Sequence, residues 1–237
     1  MRFDAAENPY TRPINTAAEA GVDERAAFIM RTYMHLAGAI FAFVALETAL
    51  FFTGIAQALV PYMVGRGSWA VVLFAFIGVS WIADRWARNA TSLPMQYAGL
   101  GLFVAAEAVI FLPLIAIALQ LDPSAIPTAA LVTLVLFGGL TGIVFLTRKD
   151  FSFMRGVLGV LALAAFGVII CSMIFGFSLG VVFSGAMVAL AGGYILYNTS
   201  NVLHHYRTDQ HVSAALALFA DVALMFWYVL RIFMSRR

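Results

Sequence analysis

Residues 216–233 read LALFADVALMFWYVLRIF, an apolar run that contains one carboxylate, Asp221, about a third of the way along. A helix that crosses the hydrocarbon core of a bilayer needs about 20 mostly apolar residues. The run reaches that length over 213–234, so it predicts a transmembrane helix. A carboxylate inside such a helix costs roughly 2.5–3.5 kcal/mol on insertion scales, so its presence needs a physical reason.

The composition of the whole chain is typical of an integral membrane protein. Of its 237 residues, 63% are hydrophobic and 11% are charged, with a mean hydropathy of +0.94, whereas a soluble domain carries about 25% charged residues. The formal net charge of +2 is too small and too scattered to indicate nucleic acid binding. Cys171 is the single cysteine, which excludes an intrachain disulfide and argues against a thiolate metal site.

Six further apolar runs of similar length are separated by short polar segments or by segments with Pro and Gly. Together with the last one, the predicted spans cover 33–60, 69–87, 95–119, 127–147, 156–176, 179–203 and 213–234. This pattern predicts an all-α integral membrane protein built as a seven-transmembrane-helix bundle. We divide the chain into a polar N-terminal arm, 1–25, and a transmembrane domain, 26–237.

Basic residues concentrate before the first span and in the even-numbered connections between spans. They are Arg2, Arg12, Arg25, Arg31, Arg85, Arg88, Arg148, Lys149, Arg155 and Arg207. Because basic connections tend to stay in the cytoplasm, the N-terminus and the arm are predicted to be cytoplasmic. Seven crossings then place Arg236 and Arg237 on the opposite side, against the same rule. Either the last segment does not cross fully or, as we favour, these two charges are outweighed.

Three acids lie well inside predicted spans: Glu47, Glu107 and Asp221. Each is a candidate functional residue, because acids within a membrane are expensive. The alternative is that each is neutral and hydrogen-bonded to a neighbouring helix, and for Glu47 and Glu107 both interpretations stay open. These two acids occupy matching places in a short sequence echo, FVALETALF at 43–51 and FVAAEAVIF at 103–111. The echo is too short to demonstrate a duplication.

The last two spans form a helical hairpin whose turn is centred near Asp209. Asn198 precedes that centre and Asp221 follows it by nearly equal numbers of residues, so the two lie at the same depth at 1.5 Å rise per residue. We therefore expect Asn198 to hydrogen-bond Asp221. The second span ends at the same membrane face and brings Arg85 and Arg88 within reach as charge partners. Asp221 could be ionised and paired with an arginine, or protonated and without an arginine partner. These two states differ by one proton, so they would constitute a switch.

The sequence lacks the motifs of common catalytic and cofactor sites. It contains no glycine-rich phosphate loop, no H-E-x-x-H and no nucleophile elbow, so the chain is predicted not to be an enzyme and to have no cofactor or metal site. His204, His205 and His211 lie near the last turn and would suit pH sensing, although a solvated, mildly basic turn is the favoured interpretation. A zinc site would also need a fourth ligand such as Asp209 in a fixed geometry.

Three segments of the chain resemble the Bax inhibitor-1 family, also called the transmembrane Bax inhibitor motif or YccA-like family. They are LTRKDFSFMRGVL at 146–158, ILYNTSNVLHHY at 195–206 and the last span, and with the seven-span layout the resemblance covers roughly 25–235. It implies that the last helix is central and wrapped by the other six. It also implies a pH-sensitive calcium leak channel or transporter of the bacterial inner membrane. In such proteins an aspartate pair in the last two spans senses protons, with an arginine of span two as its partner.

The chain departs from this pattern at one of the two aspartates. Asp221 matches the member in the last span, but the position in span six is Asn198. An Asn–Asp pair cannot share a proton as two carboxylates do, so the proton-sensing pair is altered. We hypothesise that Glu107 and Glu47 line the same cavity as Asp221 and supply the cation attraction lost at Asn198, with calcium as the permeant ion.

The resemblance also implies an alternative, regulatory function. Some bacterial relatives are thought to bind and restrain a membrane-anchored protease, a role that would use the N-terminal arm and the helix surfaces and would not need Asp221. The expected partners are therefore the lipid bilayer, calcium ions and, in this alternative, a membrane-anchored protease.

Overall fold

The computed structural model describes residues 15–89 and 92–235, and helices make up most of this part of the chain. The helices are α1 (Val22–Phe52), α2 (Ile55–Met63), α3 (Arg66–Ala87), α4 (Leu93–Leu121), α5 (Ala125–Thr147), α6 (Met154–Phe175), α7 (Val181–His204) and α8 (His211–Met234). All except the short α2 are long and apolar enough to cross a membrane. The predicted all-helical architecture with seven membrane spans is confirmed.

The first predicted span, 33–60, differs most from the structure, whereas the other six agree with their helices to within three residues. α1 ends at Phe52, and the chain restarts as α2 after Gly54, whose φ is 81°. Glycine adopts this left-handed conformation without a steric penalty from Cβ. Hydropathy did not reveal the break because the residues on both sides of it are equally apolar.

α8 is the central helix, as the family resemblance implied. It packs against α1, α3, α4, α5 and α7. In its most apolar 18-residue stretch, 72% of the residues are buried, compared with 6% in the corresponding stretch of α6. α6 packs chiefly against α7 and faces α8 across a cavity. The polar residues that α8 carries are therefore held inside the bundle, away from the surrounding lipid.

Contacts between aromatic rings show the direction and depth of α1 relative to α8. The rings of His35 and His211 are 5.0 Å apart between centroids, and those of Phe43 and Phe219 are 6.1 Å apart. The two pairs have the same offset along the chain, so α1 and α8 run parallel. Glu47, one helical turn beyond Phe43, consequently lies level with the middle of α8.

The same reasoning applies to α4. The Phe103 ring lies 6.0 Å from the Phe219 ring, and the Phe111 ring lies 4.9 Å from the Trp227 ring. These pairs again share one offset, so α4 is also parallel to α8. Glu107 lies between the two contacts, at the same level of α8 as the acid of α1.

The antiparallel helices α3 and α4 approach each other closely at Gly99. A Cβ added at this position would lie 2.5 Å from the Ala87 amide nitrogen and 2.6 Å from the Ala83 carbonyl oxygen. No side chain fits in that space, so Gly99 permits direct contact of the two backbones. This contact brings the end of α3, with its two arginines, against the start of α4.

The described end of the N-terminal arm packs against the loop between α7 and α8. The Ala17 amide donates to the Tyr206 carbonyl at 2.8 Å, and the Thr208 amide donates to the Asn15 carbonyl at 3.3 Å. The Thr208 hydroxyl donates to Glu24 Oε1 at 2.7 Å. This segment thus covers the loop that joins α7 and α8, while residues 1–14 of the predicted arm lie outside the described residues.

Candidate functional site: the Asn198–Asp221 pair and its cavities

Asn198 and Asp221 face each other across the α7–α8 hairpin. Nδ2 of Asn198 donates a hydrogen bond to Oδ2 of Asp221 at 2.8 Å, the contact that their equal depth predicts. The Asp221 side chain is buried, with 6% exposed, and a buried carboxyl group needs hydrogen-bond donors to offset the loss of water. Asn198 supplies one of them, so the pair links the two helices at the centre of the bundle.

A cavity of about 550 Å³ lies beside Asp221, enclosed by α3, α4, α6, α7 and α8. Its walls are mainly aromatic and aliphatic, with Asp221, Glu107, Ser80 and Tyr194 among the polar lining residues. Ser80 Oγ is buried and has no hydrogen-bond partner among the described residues. We call this space the central cavity; it brings two of the predicted acids, Glu107 and Asp221, onto one surface.

A second cavity, of about 880 Å³, lies on the side of the molecule that carries the α7–α8 loop. Arg88, Arg155, Asn198 and Tyr206 line it, and Tyr194 lines both this cavity and the central one. We call this space the vestibule. The Asn198–Asp221 hydrogen bond therefore joins a residue of the vestibule wall to a residue of the central cavity wall.

The two candidate arginine partners make other contacts in this structure. Arg88 Nε donates to both carboxylate oxygens of Asp84 at 2.8 Å, and this hydrogen bond raises the pKa of the Arg88 guanidinium above its usual range. The Arg85 guanidinium carbon lies 5.6 Å from the centroid of the Trp81 ring. Of the two arginines, Arg88 lines the vestibule together with Asn198, so it is the better placed to approach the pair.

A third cavity, of about 440 Å³, adjoins the central cavity on the side opposite the vestibule. The two share Trp69, Trp227 and Arg231 as lining residues, and the two tryptophan rings stack with centroids 6.1 Å apart. Arg231 donates from Nη2 to the Leu179 carbonyl at 2.9 Å and lies 5.9 Å from the Tyr228 ring centroid. The central cavity and the third cavity thus follow one another along α8.

The turn between α5 and α6 is fastened to the end of α7. The Phe151 amide donates to Ser200 Oγ at 2.8 Å, and His205 Nε2 lies 2.9 Å from Asp150 Oδ2. The Ser152 amide donates to Asp150 Oδ1; this bond is the main reason that the pKa of Asp150 is lowered to about 2. Two of the three sequence segments that resemble the Bax inhibitor-1 family thus lie in direct contact.

Comparison with known proteins gives the family of the chain. The family described as "Inhibitor of apoptosis-promoting Bax1" matches residues 25–237. The chain belongs to the Bax inhibitor-1 family. Bax inhibitor 1 of Schizosaccharomyces pombe is 27% identical over 236 residues, which cover 96% of this chain and 85% of that protein. Protein LIFEGUARD 4 of Arabidopsis thaliana is 29% identical over 225 residues, 88% of this chain and 85% of that protein.

In this Bax inhibitor-1 family member, the third predicted acid lies apart from the other two. Glu47 lines a separate cavity of about 460 Å³ between α1, α4, α5 and α8, whereas Glu107 and Asp221 line the central cavity. The structure therefore does not place all three acids on one path. It places them at one level of the bundle, around different faces of the central helix.

The histidines near the last turn are also separated. His205 pairs with Asp150, His204 Nδ1 lies 3.0 Å from the Ser200 carbonyl oxygen, and the His211 ring lies 5.0 Å from the His35 ring of α1 in a tilted arrangement. Within residues 15–89 and 92–235, no group of three or more His, Cys, Asp or Glu side chains could hold a metal ion. His205 and His211 thus contact other segments of the bundle, whereas His204 bonds within its own helix.

Sequence reasoning gave no role to Asp150, Ser200 or Tyr194. Asp150 and Ser200 were visible only as parts of the two segments that resemble the family, 146–158 and 195–206. Their pairing became evident once the α5–α6 turn was placed against the end of α7. Tyr194 gave no signal, because a tyrosine in an apolar span is most often simply packed.

Proposed function

We propose that the protein is a cation leak pathway permeable to calcium, with the Asn198–Asp221 contact as its gate. The observation that carries the proposal is the position of this pair between the vestibule and the central cavity. On this proposal, an ion that moves from the vestibule to the central cavity passes the hydrogen bond. Separation of the two side chains would connect the two cavities.

The acids of the central cavity supply the attraction for a cation. Glu107 and Asp221 both line it, and carboxylate oxygens are the ligands that calcium prefers. A tight calcium site uses six to eight oxygen ligands, whereas conduction requires binding that is weak enough for the ion to leave. Two carboxyl groups in a largely apolar space suit passage better than storage.

The proposed pH sensitivity arises at the vestibule. Histidine changes its charge near neutral pH, and His205 contacts Asp150, which stays ionised because its pKa is about 2. The contact between His205 and Asp150 joins the α5–α6 turn to the end of α7, the helix that carries Asn198. The other basic side chains of the vestibule wall are Arg88 and Arg155.

Calcium flux into proteoliposomes tests this function. We expect Asp221→Asn and Glu107→Gln to lower the flux about tenfold each, since each removes a charge whose binding contribution would be of the order of 1.4 kcal/mol. The matched control is Asp23→Asn, at an exposed position in the first turn of α1, which should leave the flux unchanged. Wild-type flux in both cavity variants, with normal protein incorporation, would show that these acids do not line the ion path.

We also propose that the protein resides in a bacterial inner membrane with its N-terminus in the cytoplasm. Support comes from the distribution of basic residues along the chain. In this orientation the vestibule, the α5–α6 turn and the α7–α8 loop face the cytoplasm. The proposed pH sensor would then respond to cytoplasmic pH.

Regulation of a membrane-anchored protease remains the alternative proposal, and it concerns a different part of the chain. The part of the arm from residue 15 onward packs against the α7–α8 loop, so it is already engaged within the molecule. Removal of residues 1–14 alone is therefore the cleaner test. Loss of protease co-purification with unchanged calcium flux would support the regulatory function.

A further inference from the structure

The cavity that contains Glu47 lies on the side of α8 away from the proposed ion path. It measures about 460 Å³ and is bounded by α1, α4, α5 and α8; we call it the lateral cleft. We propose that the lateral cleft binds a long-chain primary amine from the lipid phase, with Glu47 and Thr133 holding its ammonium group. This inference goes beyond the leak function and does not depend on it.

The lateral cleft opens between α1 and α5. These helices meet at Tyr33 and Phe145, whose ring centroids are 5.8 Å apart, and farther along both contribute walls to the cleft. Val44 of α1 and Leu134 of α5 line it, and they are 53% and 51% exposed. Because these helices cross the membrane, the exposed rim faces acyl chains, and an amphiphile can enter sideways from the bilayer.

The polar groups inside the cleft lack partners from the protein. Glu47 is 7% exposed and Thr133 is 2% exposed. Both carboxyl oxygens of Glu47 and the hydroxyl oxygen of Thr133 have no hydrogen-bond partner among the described residues. Buried polar groups without partners are costly, so a ligand that brings its own donors would satisfy three atoms that the bundle leaves unsatisfied.

The number and kind of these atoms identify the ligand class. A protonated primary amine offers three N–H donors and a positive charge, whereas an alcohol offers one donor and no charge. The three donors match the two oxygens of Glu47 and the one of Thr133. The remaining walls include Phe51, Ile115 and Phe226, which suit an alkyl chain, and the volume lies within the ordinary range of small-molecule sites, about 300–1,000 Å³.

The lateral cleft and the central cavity use different faces of α8. Phe219, Val222 and Phe226 face the cleft, whereas Asp221 and Leu224 face the central cavity, and Ala223 borders both. Amine binding can therefore be measured separately from calcium flux, and the failure of one proposal leaves the other intact.

The experiment uses the full chain in lipid nanodiscs and a photoreactive diazirine derivative of dodecylamine. We expect cross-links to α1 and α5 next to the cleft, which unlabelled dodecylamine suppresses at lower concentration than dodecanol does. Glu47→Gln should weaken dodecylamine binding about tenfold, as loss of a charge-assisted hydrogen bond predicts, and should leave dodecanol binding unchanged. Glu107→Gln is the matched control, because Glu107 is equally buried but lines the other cavity, and it should retain amine binding.

Two results would overturn the proposal. Equal competition by dodecanol and dodecylamine would show that the cleft binds any alkyl chain without regard to its head group. This comparison needs only the wild-type protein. Unchanged amine affinity in Glu47→Gln would show that the carboxyl group does not hold the head group. Glu47→Asp keeps a carboxyl group and should keep the preference for amine over alcohol, and Ala130→Phe, at another lining position, should block both ligands.

Discussion

Asn198 determines how many protons the contact between α7 and α8 can hold. A carboxylate at this position would lie within hydrogen-bond distance of Asp221, and two such groups titrate as a coupled pair. Asn198 instead donates one N–H to Asp221 at 2.8 Å and carries no titratable proton itself. The contact that holds α7 against α8 therefore does not require a shared proton.

Asn198→Asp tests this interpretation at the residue scale. The variant places two carboxyl groups on one contact, so we expect the curve of calcium flux against pH to gain a transition that the wild type lacks. Flux measured from proteoliposomes at a series of pH values reports it. Asn201→Asp is the control, since Asn201 also lines the vestibule on α7 but one turn away from Asp221. A curve for Asn198→Asp that overlays the wild type would show that the pair does not control flux.

At the scale of helices, close backbone packing sets the positions of the side chains that line the vestibule and the central cavity. Gly99 allows α4 to contact Ala83 and Ala87 of α3 directly. The same contact places the end of α3, with Arg88, beside the vestibule, and it fixes α4, with Glu107, beside the central cavity. Most other glycines of the spans have open space around their Cβ position, so small size alone does not identify the glycine that matters.

Gly99→Ala is expected to destabilise the bundle by about 1–3 kcal/mol, because the new methyl group overlaps backbone atoms that cannot rotate away. The thermal unfolding midpoint of the protein in detergent or nanodiscs measures the effect. Gly101→Ala is a matched control on the same helix, since nothing lies within 4 Å of its Cβ position, and it should be neutral or slightly stabilising. Equal midpoints for the two variants would contradict the close approach of α3 and α4.

The helices themselves could be predicted from hydropathy, but the faces they present could not. Seven apolar runs in the sequence were enough to predict the seven membrane spans. The nearly equal distances of Asn198 and Asp221 from the hairpin turn were enough to predict their contact. Nothing in the sequence indicated that Glu47 and Glu107, which hold matching places in the echo, would face different cavities. That difference depends on which side of α8 each helix occupies, and this is a property of tertiary packing that a single sequence does not encode in its periodicity.

At the scale of the whole molecule, the parallel arrangement of α1 and α8 defines its topology. Contacts at one offset along the chain, His35–His211 and Phe43–Phe219, show that both helices run in the same direction. The segment before α1 and the segment after α8 must then lie on opposite sides of the membrane. Arg236 and Arg237 lie outside the described residues; with the proposed cytoplasmic N-terminus, the sequence prediction assigns them to the side that basic residues usually avoid.

Single-cysteine labelling tests this topology. In a Cys171→Ser background, we expect Ser235→Cys to react with a membrane-impermeant maleimide in intact spheroplasts, since residue 235 follows the complete α8 crossing. Ala18→Cys and Lys149→Cys, both exposed, should react only after lysis, because in the proposed orientation the segment before α1 and the α5–α6 turn both face the cytoplasm. Protection of Ser235→Cys before lysis would mean that the two terminal arginines keep the end of α8 inside. α8 has 24 residues, with a mean hydropathy of 1.9 in its most apolar stretch, and so exceeds the roughly 20 residues needed to cross a bilayer. We therefore expect α8 to cross fully despite the two terminal charges.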